Sequence, residues 1–503
     1  MTQAVGEHSD AGSDAGIGRK VRRALAWSSV NNIVLRLGNF AVGVLLARIL
    51  APSQFGVFAV ALTVQTVLIA FAELGITSDL IRHGDIERRA PTVTTVATAS
   101  TALLAGLMAL TAAPVATLLG SHQATSTVQV MSLTLVLSGL SVVPNAAIQR
   151  DFRQSTQLVL DGTSLVASTI LTVVLVYLGF GAMALALSRV LAQAIVCALQ
   201  YVVTGMRPRF GLNRQVAAGL IRFGLPLAGA NLLSWIVMDV DNMMVGALSG
   251  AVVLGFYVLA FNISSWPMSA LGQAVRAVAL PGFARLTDPA RRAAGFATAV
   301  ALSWAAALFA GVALSALASR LVPLVYGPRW MAATQALAGL AFFGALRVVF
   351  DIMATYLIAA GATRPVLVVQ ALWIAVLAPA MAAGIEWYGL AGAGWAHVAV
   401  GGAIILPAYL LLVRRHGVRL GPLVWRLTVP VLAAVPAVLA GTYVAHAVHA
   451  TVPALLAGGT VASVVYLGVL GPWLVRWLRD LRRPAPRVVT EPAAEPELIR
   501  GGT

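Results

Sequence analysis

Residues 45–61 read LLARILAPSQFGVFAVA, a short turn with one proline between two long apolar runs. The first run begins near residue 24, and the second continues to about residue 76. A membrane-spanning helix needs about 20 mostly apolar residues, and a proline-containing gap of this kind is typical of a turn. The stretch therefore predicts two consecutive transmembrane helices joined by a tight turn.

The rest of the chain repeats this pattern. Of its 503 residues, 59% are hydrophobic and only 10% are charged, whereas soluble domains carry about 25% charged residues. A surface that faces water cannot be built from this composition, so an all-α integral membrane protein of about 14 transmembrane helices is predicted. The expected spans are 24–48, 57–76, 94–119, 128–148, 157–178, 182–204, 224–247, 252–273, 293–319, 331–358, 365–385, 389–412, 424–446 and 453–475.

The placement of basic residues tests this map, because cytoplasmic loops of membrane proteins carry an excess of Lys and Arg. Of the 34 basic residues, 27 fall in the two tails or in every second gap between spans, and Arg426 lies at the adjoining end of the span 424–446, which brings the number on the cytoplasmic side to 28. The net charge of +16 is therefore explained by topology and not by binding to nucleic acid. Both termini are predicted to be cytoplasmic, and membrane lipids are the expected surroundings.

An internal repeat divides the chain. Residues 245–260 read VGALSGAVVLGFYVLA and echo the opening stretch at an offset of 199, which superposes Gly56 on Gly255. Six spans separate the copies, so two parallel six-helix lobes are expected, related by an axis along the membrane normal. The predicted units are a cytoplasmic tail, an N-lobe, a C-lobe, two C-terminal helices and a second cytoplasmic tail, at 1–23, 24–204, 205–412, 413–476 and 477–503.

Several classes of function are disfavoured. The sequence has no P-loop, no Asp-rich metal motif and a single cysteine, Cys197, so we expect no catalytic residues, no metal and no cofactor. Two lobes without an energy module favour a secondary transporter that works by alternating access, not an enzyme.

Polar side chains inside the predicted spans are the candidate functional residues, because ionisable groups at that depth cost several kcal/mol unless they face water or a partner. Guanidinium groups bind phosphate in a bidentate manner, so the arginines favour an anionic substrate. The substrate-binding candidates are Arg36, Asn32, Asn39, Arg189, Arg347 and Asn231, and the coupling-ion candidates are Asp239, Asp241 and Asp351.

Alternative interpretations accompany these candidates. Arg347 and Asp351 are four residues apart on one helix and are equally well explained as a pair that neutralises itself. Asp239 and Asp241 fit a bound coupling cation, a contact between lobes, or both. We interpret His397 as a packed polar residue in preference to a proton relay.

Three motifs resemble a known family. Residues 47–56 (ARILAPSQFG), 73–82 with Glu73-Leu74-Gly75-Ile76 and Leu80-Ile81-Arg82, and 144–153 (PNAAIQRDFR) resemble signatures of the polysaccharide-transporter branch of the multidrug/oligosaccharidyl-lipid/polysaccharide (MOP) exporters. The resemblance implies two six-helix lobes plus two helices, in the bacterial plasma membrane.

It also implies a Wzx-type flippase that moves a polyprenyl-diphosphate-linked oligosaccharide to the outer leaflet. A proton or sodium gradient would drive transport in the outward direction. Consumption of the product by a polysaccharide polymerase and export machinery could do the same. Alternatives are a multidrug or toxin extruder, a lipid II flippase, and a scaffold without transport activity.

Overall fold

A computed structural model describes residues 34–72, 80, 86–151, 153–285 and 289–482. Within these ranges the side chains of residues 225–238 and of several other helical positions are outside the described part. Asn32, Glu73 and most of the two predicted tails also lie outside the described residues. The part that the structure describes is helical and contains no strand.

The α-helices follow one another with short connections. Two 3₁₀ turns, at His122–Ala124 and Pro328–Trp330, and a π-helical segment at Gly401–Ile405 complete the described secondary structure. The α-helices are α1 34–49, α2 Pro52–Ala72, α3 Ile86–Leu110, α4 Ala112–Leu118, α5 Thr125–Arg150, α6 Gln154–Tyr177, α7 Ala182–Thr204, α8 Arg214–Arg285, α9 Pro289–Tyr326, α10 Ala333–Ala359, α11 Thr363–Val400, α12 Leu406–Arg415, α13 Leu420–Ala447 and α14 Thr451–Arg482.

Two of these helices reverse direction at a glycine. Gly250 in α8 has φ 81° and Gly389 in α11 has φ 57°, a backbone region that glycine enters without steric cost. In a straight helix Asp241 and Tyr257 would be about 24 Å apart, yet their side chains form a hydrogen bond of 2.8 Å. In α11 a Cβ on Gly384 would lie 2.7 Å from the carbonyl oxygen of Gly392, so each of the two helices is a hairpin of two antiparallel arms.

These reversals reconcile the helices with the predicted number of spans. Eleven described segments are long and apolar enough to cross a membrane. Two of them, Asp239–Met268 and Thr363–Arg415, contain the turns at Gly250 and Gly389 and so hold parts of two spans each, and α1 adds another. The predicted all-α architecture of about fourteen spans is confirmed, although the third span (94–119) is interrupted at Thr111, between α3 and α4.

The two halves of the internal repeat meet each other through equivalent residues. A Cβ on Gly56 would collide with the carbonyl oxygen of Ala251, and a Cβ on Gly255 would lie 2.7 Å from the carbonyl oxygen of Pro52. Pro52 and Ala251, like Gly56 and Gly255, are 199 residues apart. Reciprocal contacts of this kind arise where a two-fold axis passes through an interface, so the two lobes are parallel repeats.

Several side chains pack around the contact between Gly56 and Gly255, and together they close this end of the molecule. The indole of Trp330 is fully buried and donates a hydrogen bond of 2.7 Å to the carbonyl of Ala47. Its ring makes edge contacts with Phe55 of the N-lobe and Phe256 of the C-lobe. Arg48 donates to the carbonyl of Val325 at 2.8 Å. We call this contact the outer seal, because charge placement predicts that its turns are extracytoplasmic.

The last two helices pack against α9. Trp304 donates from its indole nitrogen to the carbonyl of Leu427 in α13, at 2.8 Å. Tyr466 of α14 donates from its hydroxyl to the carbonyl of Ala305, at 2.9 Å. Helices α13 and α14 are thus an addition to the second lobe.

Candidate functional site

The most completely described polar cluster lies inside the α8 hairpin. Asp241 is only 4% exposed, and its Oδ2 atom accepts the hydrogen bond from the hydroxyl of the fully buried Tyr257. Its Oδ1 atom accepts a hydrogen bond of 2.9 Å from the backbone N–H of Asn242. The turn at Gly250 places these two residues side by side on opposite arms. A buried carboxylate is thereby held in one orientation.

A third residue, His397 of α11, faces the same carboxylate. Its Nε2 atom lies 3.7 Å from Asp241 Oδ2, and the imidazole is 2% exposed. The ring stacks on Tyr257 with 6.4 Å between centroids and packs on Phe343 at 4.5 Å. The packing of α11 against α8 brings together these two residues, which are 156 positions apart in the chain.

The depth of this cluster follows from the helix geometry. Asp241, Tyr257 and His397 lie nine, seven and eight residues from the glycine of their own turn. At 1.5 Å per residue they are about 10 to 14 Å below the turns. Half of a bilayer core is about 15 Å, so the cluster is near the middle of the membrane.

Arg347 of α10 borders the cluster. Its guanidinium carbon lies 5.9 Å from the ring centre of Phe261 and 6.0 Å from that of Phe343, distances at which a cation is attracted to an aromatic face. The Phe343 ring also packs on the imidazole of His397, so one aromatic ring contacts both Arg347 and the cluster. The residue is half-buried, which leaves part of the side chain accessible to a ligand.

The other acidic candidates occupy separate positions. Asp239 is half-buried, and its Oδ1 atom accepts a hydrogen bond of 2.9 Å from the side-chain amide of Asn242. Asp351 is half-buried on α10. Asp351 lies one turn after Arg347 on the same helix, and the pairing of these two residues stays a prediction.

Helix α1, the first described helix of the N-lobe, carries Arg36 and the exposed Asn39 and borders the C-lobe. A Cβ on Gly38 would lie 2.5 Å from a methyl carbon of Leu165 in the N-lobe. Two residues further on, the Phe40 ring contacts the rings of Trp266 and Tyr326 in the C-lobe. Arg36 is half-buried one turn before Phe40 and is thus carried by a helix that touches both lobes.

The remaining substrate-binding candidates are not brought to the cluster by any described contact. Arg189 is exposed on α7. Asn231 lies within α8, but its side chain is outside the described part, as is the whole of Asn32. These three residues stay predictions from sequence.

Two members of the cluster were not among the candidate site residues from sequence: Tyr257, which was not considered, and His397, which was interpreted as a packed polar residue. A signal for Tyr257 was present, because Gly250 lies nearly midway between Asp241 and Tyr257 in the chain, as a hairpin with facing arms requires. His397 carried no such signal, since its contact with Asp241 depends on how α11 packs against α8.

Comparisons with known proteins agree with this architecture. The model of a family described as "Polysaccharide biosynthesis protein" matches residues 45–335. The succinoglycan biosynthesis transport protein ExoT of Rhizobium meliloti (strain 1021) is 32% identical over 339 residues, which are 64% of this chain and 66% of ExoT. The matched segment therefore spans just under two thirds of that relative.

Two solved structures share the fold. The inward closed conformation of the lipid II flippase MurJ superposes with a TM-score of 0.70 at 12% identity, over 90% of this chain and 99% of MurJ. An inward-facing multidrug resistance MATE family transporter of the MOP superfamily gives 0.56 at 16% identity, over 78% of this chain and 98% of the transporter. At these identities the likeness extends to the fold alone.

The two-lobe helical architecture and the structural likeness identify a multi-pass membrane protein with the fold of MOP transporters, and the resemblance noted in the sequence is confirmed. Because the family model covers more than half of its residues, the chain belongs to the polysaccharide biosynthesis protein family.

Proposed function

We propose that the protein is a flippase that moves a polyprenyl-diphosphate-linked oligosaccharide from the cytoplasmic to the outer leaflet, for the synthesis of a cell-surface polysaccharide. Family membership and the name of ExoT support this class of substrate. The structural observation that carries the proposal is Arg347, a half-buried guanidinium near mid-membrane that contacts the aromatic rings of Phe261 and Phe343.

The chemistry of the substrate fits this observation. A diphosphate presents several anionic oxygens, which a guanidinium binds through two parallel hydrogen bonds. Arg347 and Arg36, with Asn39 beside Arg36, would bind the diphosphate, and Arg189, Asn32 and Asn231 would extend the polar surface toward the sugars. The polyprenyl tail would stay in the surrounding lipid.

Movement would follow from the two lobes. In the alternating-access mechanism the outer seal opens while the opposite end closes, and the headgroup crosses between the lobes. A ligand shifts such an equilibrium only through its different affinities for the two states. The N-lobe would comprise residues 24–204 and the C-lobe residues 205–412.

Location and partners complete the proposal. The protein would reside in the bacterial plasma membrane with both tails cytoplasmic, would act as a transporter without catalysis, and would deliver its product to a polymerase and export machinery. Either a proton or a sodium gradient would drive the cycle through Asp239, Asp241 or Asp351.

The test is the fate of lipid-linked glycan in a deletion strain, by mass spectrometry of extracted polyprenyl diphosphates. We expect a cytoplasm-facing oligosaccharide intermediate to accumulate and the wild-type gene to restore the normal pool. Arg347→Ala and Arg36→Ala should fail to restore it. Arg329→Ala is the matched control, because Arg329 is exposed beside the outer seal, and it should restore the pool fully.

Other outcomes would overturn the proposal in distinct ways. An unchanged lipid pool with lost drug resistance indicates an extruder. Accumulation of the peptidoglycan precursor indicates a lipid II flippase. Full complementation by both arginine variants, with failure on truncation of the 477–503 tail, indicates a scaffold.

A further inference from the structure

The contact between His397 and Asp241 joins two atoms that both lack a proton when the imidazole is neutral. His397 Nδ1 lies 3.0 Å from the carbonyl oxygen of Ala393, and a carbonyl can only accept, so Nδ1 carries the hydrogen. In the neutral ring Nε2 then presents its lone pair. That lone pair faces Asp241 Oδ2, itself an acceptor, at 3.7 Å.

Burial increases the cost of this arrangement. Asp241 and His397 are 4% and 2% exposed, and Tyr257 is fully buried, so water cannot separate the two acceptors. The Tyr257 hydroxyl provides one hydrogen bond to Oδ2, but a buried carboxylate also requires a neutralising charge. One proton on Nε2 would turn the repulsive contact into an ion pair, because 3.7 Å is within ion-pair distance, and a small approach of the two atoms would make it a charged hydrogen bond.

The other charged groups around the pair are few. On α8, Asp239 lies two residues before Asp241 and binds Asn242. On α10, Arg347 lies over the rings of Phe261 and Phe343, which pack on Tyr257 and His397 respectively. Helix α2 contains no ionisable residue, and the ionisable residues of α9 lie in its first turn or its last two turns. Arg347 is thus the cation described next to the cluster.

We propose that Asp241, His397 and Tyr257 form a proton-binding site whose occupancy sets the affinity of Arg347 for a diphosphate. The second half of this statement rests on the proposed function, whereas the proton site itself does not. The proton comes from water and is shared by Nε2 and Oδ2, and no covalent bond other than the one to this proton changes.

The sign of the coupling follows from charge. With the proton bound, the imidazolium neutralises the carboxylate, and the positive charge of Arg347 is available to an anion. Without the proton, Arg347 is the cation near a negative Asp241, and a diphosphate must compete with that carboxylate. Proton and diphosphate therefore favour each other's binding, and the effect is reciprocal.

The same geometry favours a proton over a sodium ion. Hard metal cations prefer shells made of oxygen ligands, whereas the atom that faces Asp241 Oδ2 is an imidazole nitrogen. Imidazole titrates near neutral pH and is the usual proton acceptor in that range. Sodium binding is therefore an outcome that contradicts the proposal.

The proton site can be tested without any substrate. In purified full-length protein labelled with ¹³C-histidine, NMR spectra from about pH 5 to about pH 9 cover the ordinary imidazole titration. We expect one titrating signal that is absent in His397→Gln and whose midpoint moves toward acid in Asp241→Asn. Tyr257→Phe keeps the ring packing and should move the midpoint as well, which provides a second variant if His397→Gln does not fold.

Two other histidines serve as matched controls. His416 and His446 contact the carbonyl four residues earlier through Nδ1, as His397 does, and neither has a described carboxylate partner. His416→Gln and His446→Gln should leave the His397 signal unchanged. A His397 signal that is constant over the whole pH range would overturn the proposal, and so would a midpoint that responds to sodium chloride but not to choline chloride.

The link to Arg347 needs a separate measurement. Binding of inorganic pyrophosphate and of undecaprenyl diphosphate to the purified protein should be tighter at about pH 6 than at about pH 8.5, by about fivefold or more. Asp241→Asn should abolish this dependence. A His397 that titrates without any change in diphosphate affinity would overturn the coupling but keep the proton site, and absence of diphosphate binding at every pH would count against the flippase.

Discussion

At the scale of single residues, Tyr257 shows how a buried charge is kept in place. Its hydroxyl donates to Asp241 Oδ2, and both side chains are buried. Tyr257→Phe removes this donor and leaves a carboxylate oxygen without it, at an expected cost of about 1–3 kcal/mol in stability. Thermal unfolding in detergent would measure the change.

A second tyrosine gives the matched comparison. Tyr466 is 1% exposed and donates to the carbonyl of Ala305, but that carbonyl lies in a helix and also accepts a bond from the backbone. Tyr466→Phe should therefore cost less than Tyr257→Phe. Equal losses in the two variants would contradict a special role for the carboxylate bond.

What the sequence could predict for single residues depends on how far apart in the chain the interacting residues are. Asp241 and Arg347 were identified because an ionisable residue within an apolar span is unusual on its own. His397 was assigned to packing, since its partner is 156 residues away and only the packing of two hairpins brings them together. Residue type predicted the candidates, while the pairing required the fold.

At the scale of helices, the apolar runs predicted the fourteen spans because length and hydrophobicity are local properties. The break at Thr111 between α3 and α4 was not predicted, although Pro114 marks it: proline lacks the N–H that would bond the carbonyl of Leu110 and continue the helix. The reversals at Gly250 and Gly389 agree with the predicted ends of spans near those glycines. The close approach of helices at particular glycines needed the structure.

Substitution of Gly255 tests the close approach of the two lobes at the outer seal. A Cβ there would lie 2.7 Å from the carbonyl oxygen of Pro52 and 3.0 Å from the backbone nitrogen of Gly56, and backbone atoms cannot move aside as a flexible side chain can. Gly255→Ala should destabilise the sealed conformation by about 1–3 kcal/mol through overpacking. Thermal unfolding and thiol labelling of a cysteine placed at the outer seal would report it.

Gly468 provides the control for this substitution. It lies within α14, and a Cβ there would have no neighbour within 4 Å. Gly468→Ala should be neutral or stabilising by up to about 1 kcal/mol, because alanine favours the helix. A Gly255→Ala variant that behaves like Gly468→Ala would show that the lobes are not pressed together at this point.

At the scale of the whole molecule, the space between the two lobes can open to the outer side of the membrane only if the outer seal separates. Trp330 joins Phe55 of one lobe to Phe256 of the other, so a covalent link here should hold that end closed. In a Cys197→Ala background, Phe55→Cys with Trp330→Cys should cross-link with a short bifunctional thiol reagent. Transport of lipid-linked glycan should then stop and should return on reduction, while diphosphate binding persists.

A link within one half of the molecule is the matched control for this experiment. Phe309 and Tyr466 have ring centres 5.6 Å apart, against 5.4 Å for Phe55 and Trp330, but they join α9 to α14. Cysteines at those two positions should cross-link without loss of transport, because α13 and α14 pack on α9 and would move with it. Continued transport by the Phe55–Trp330 cross-linked protein would mean that the headgroup crosses without opening this end, and alternating access between the lobes would have to be abandoned.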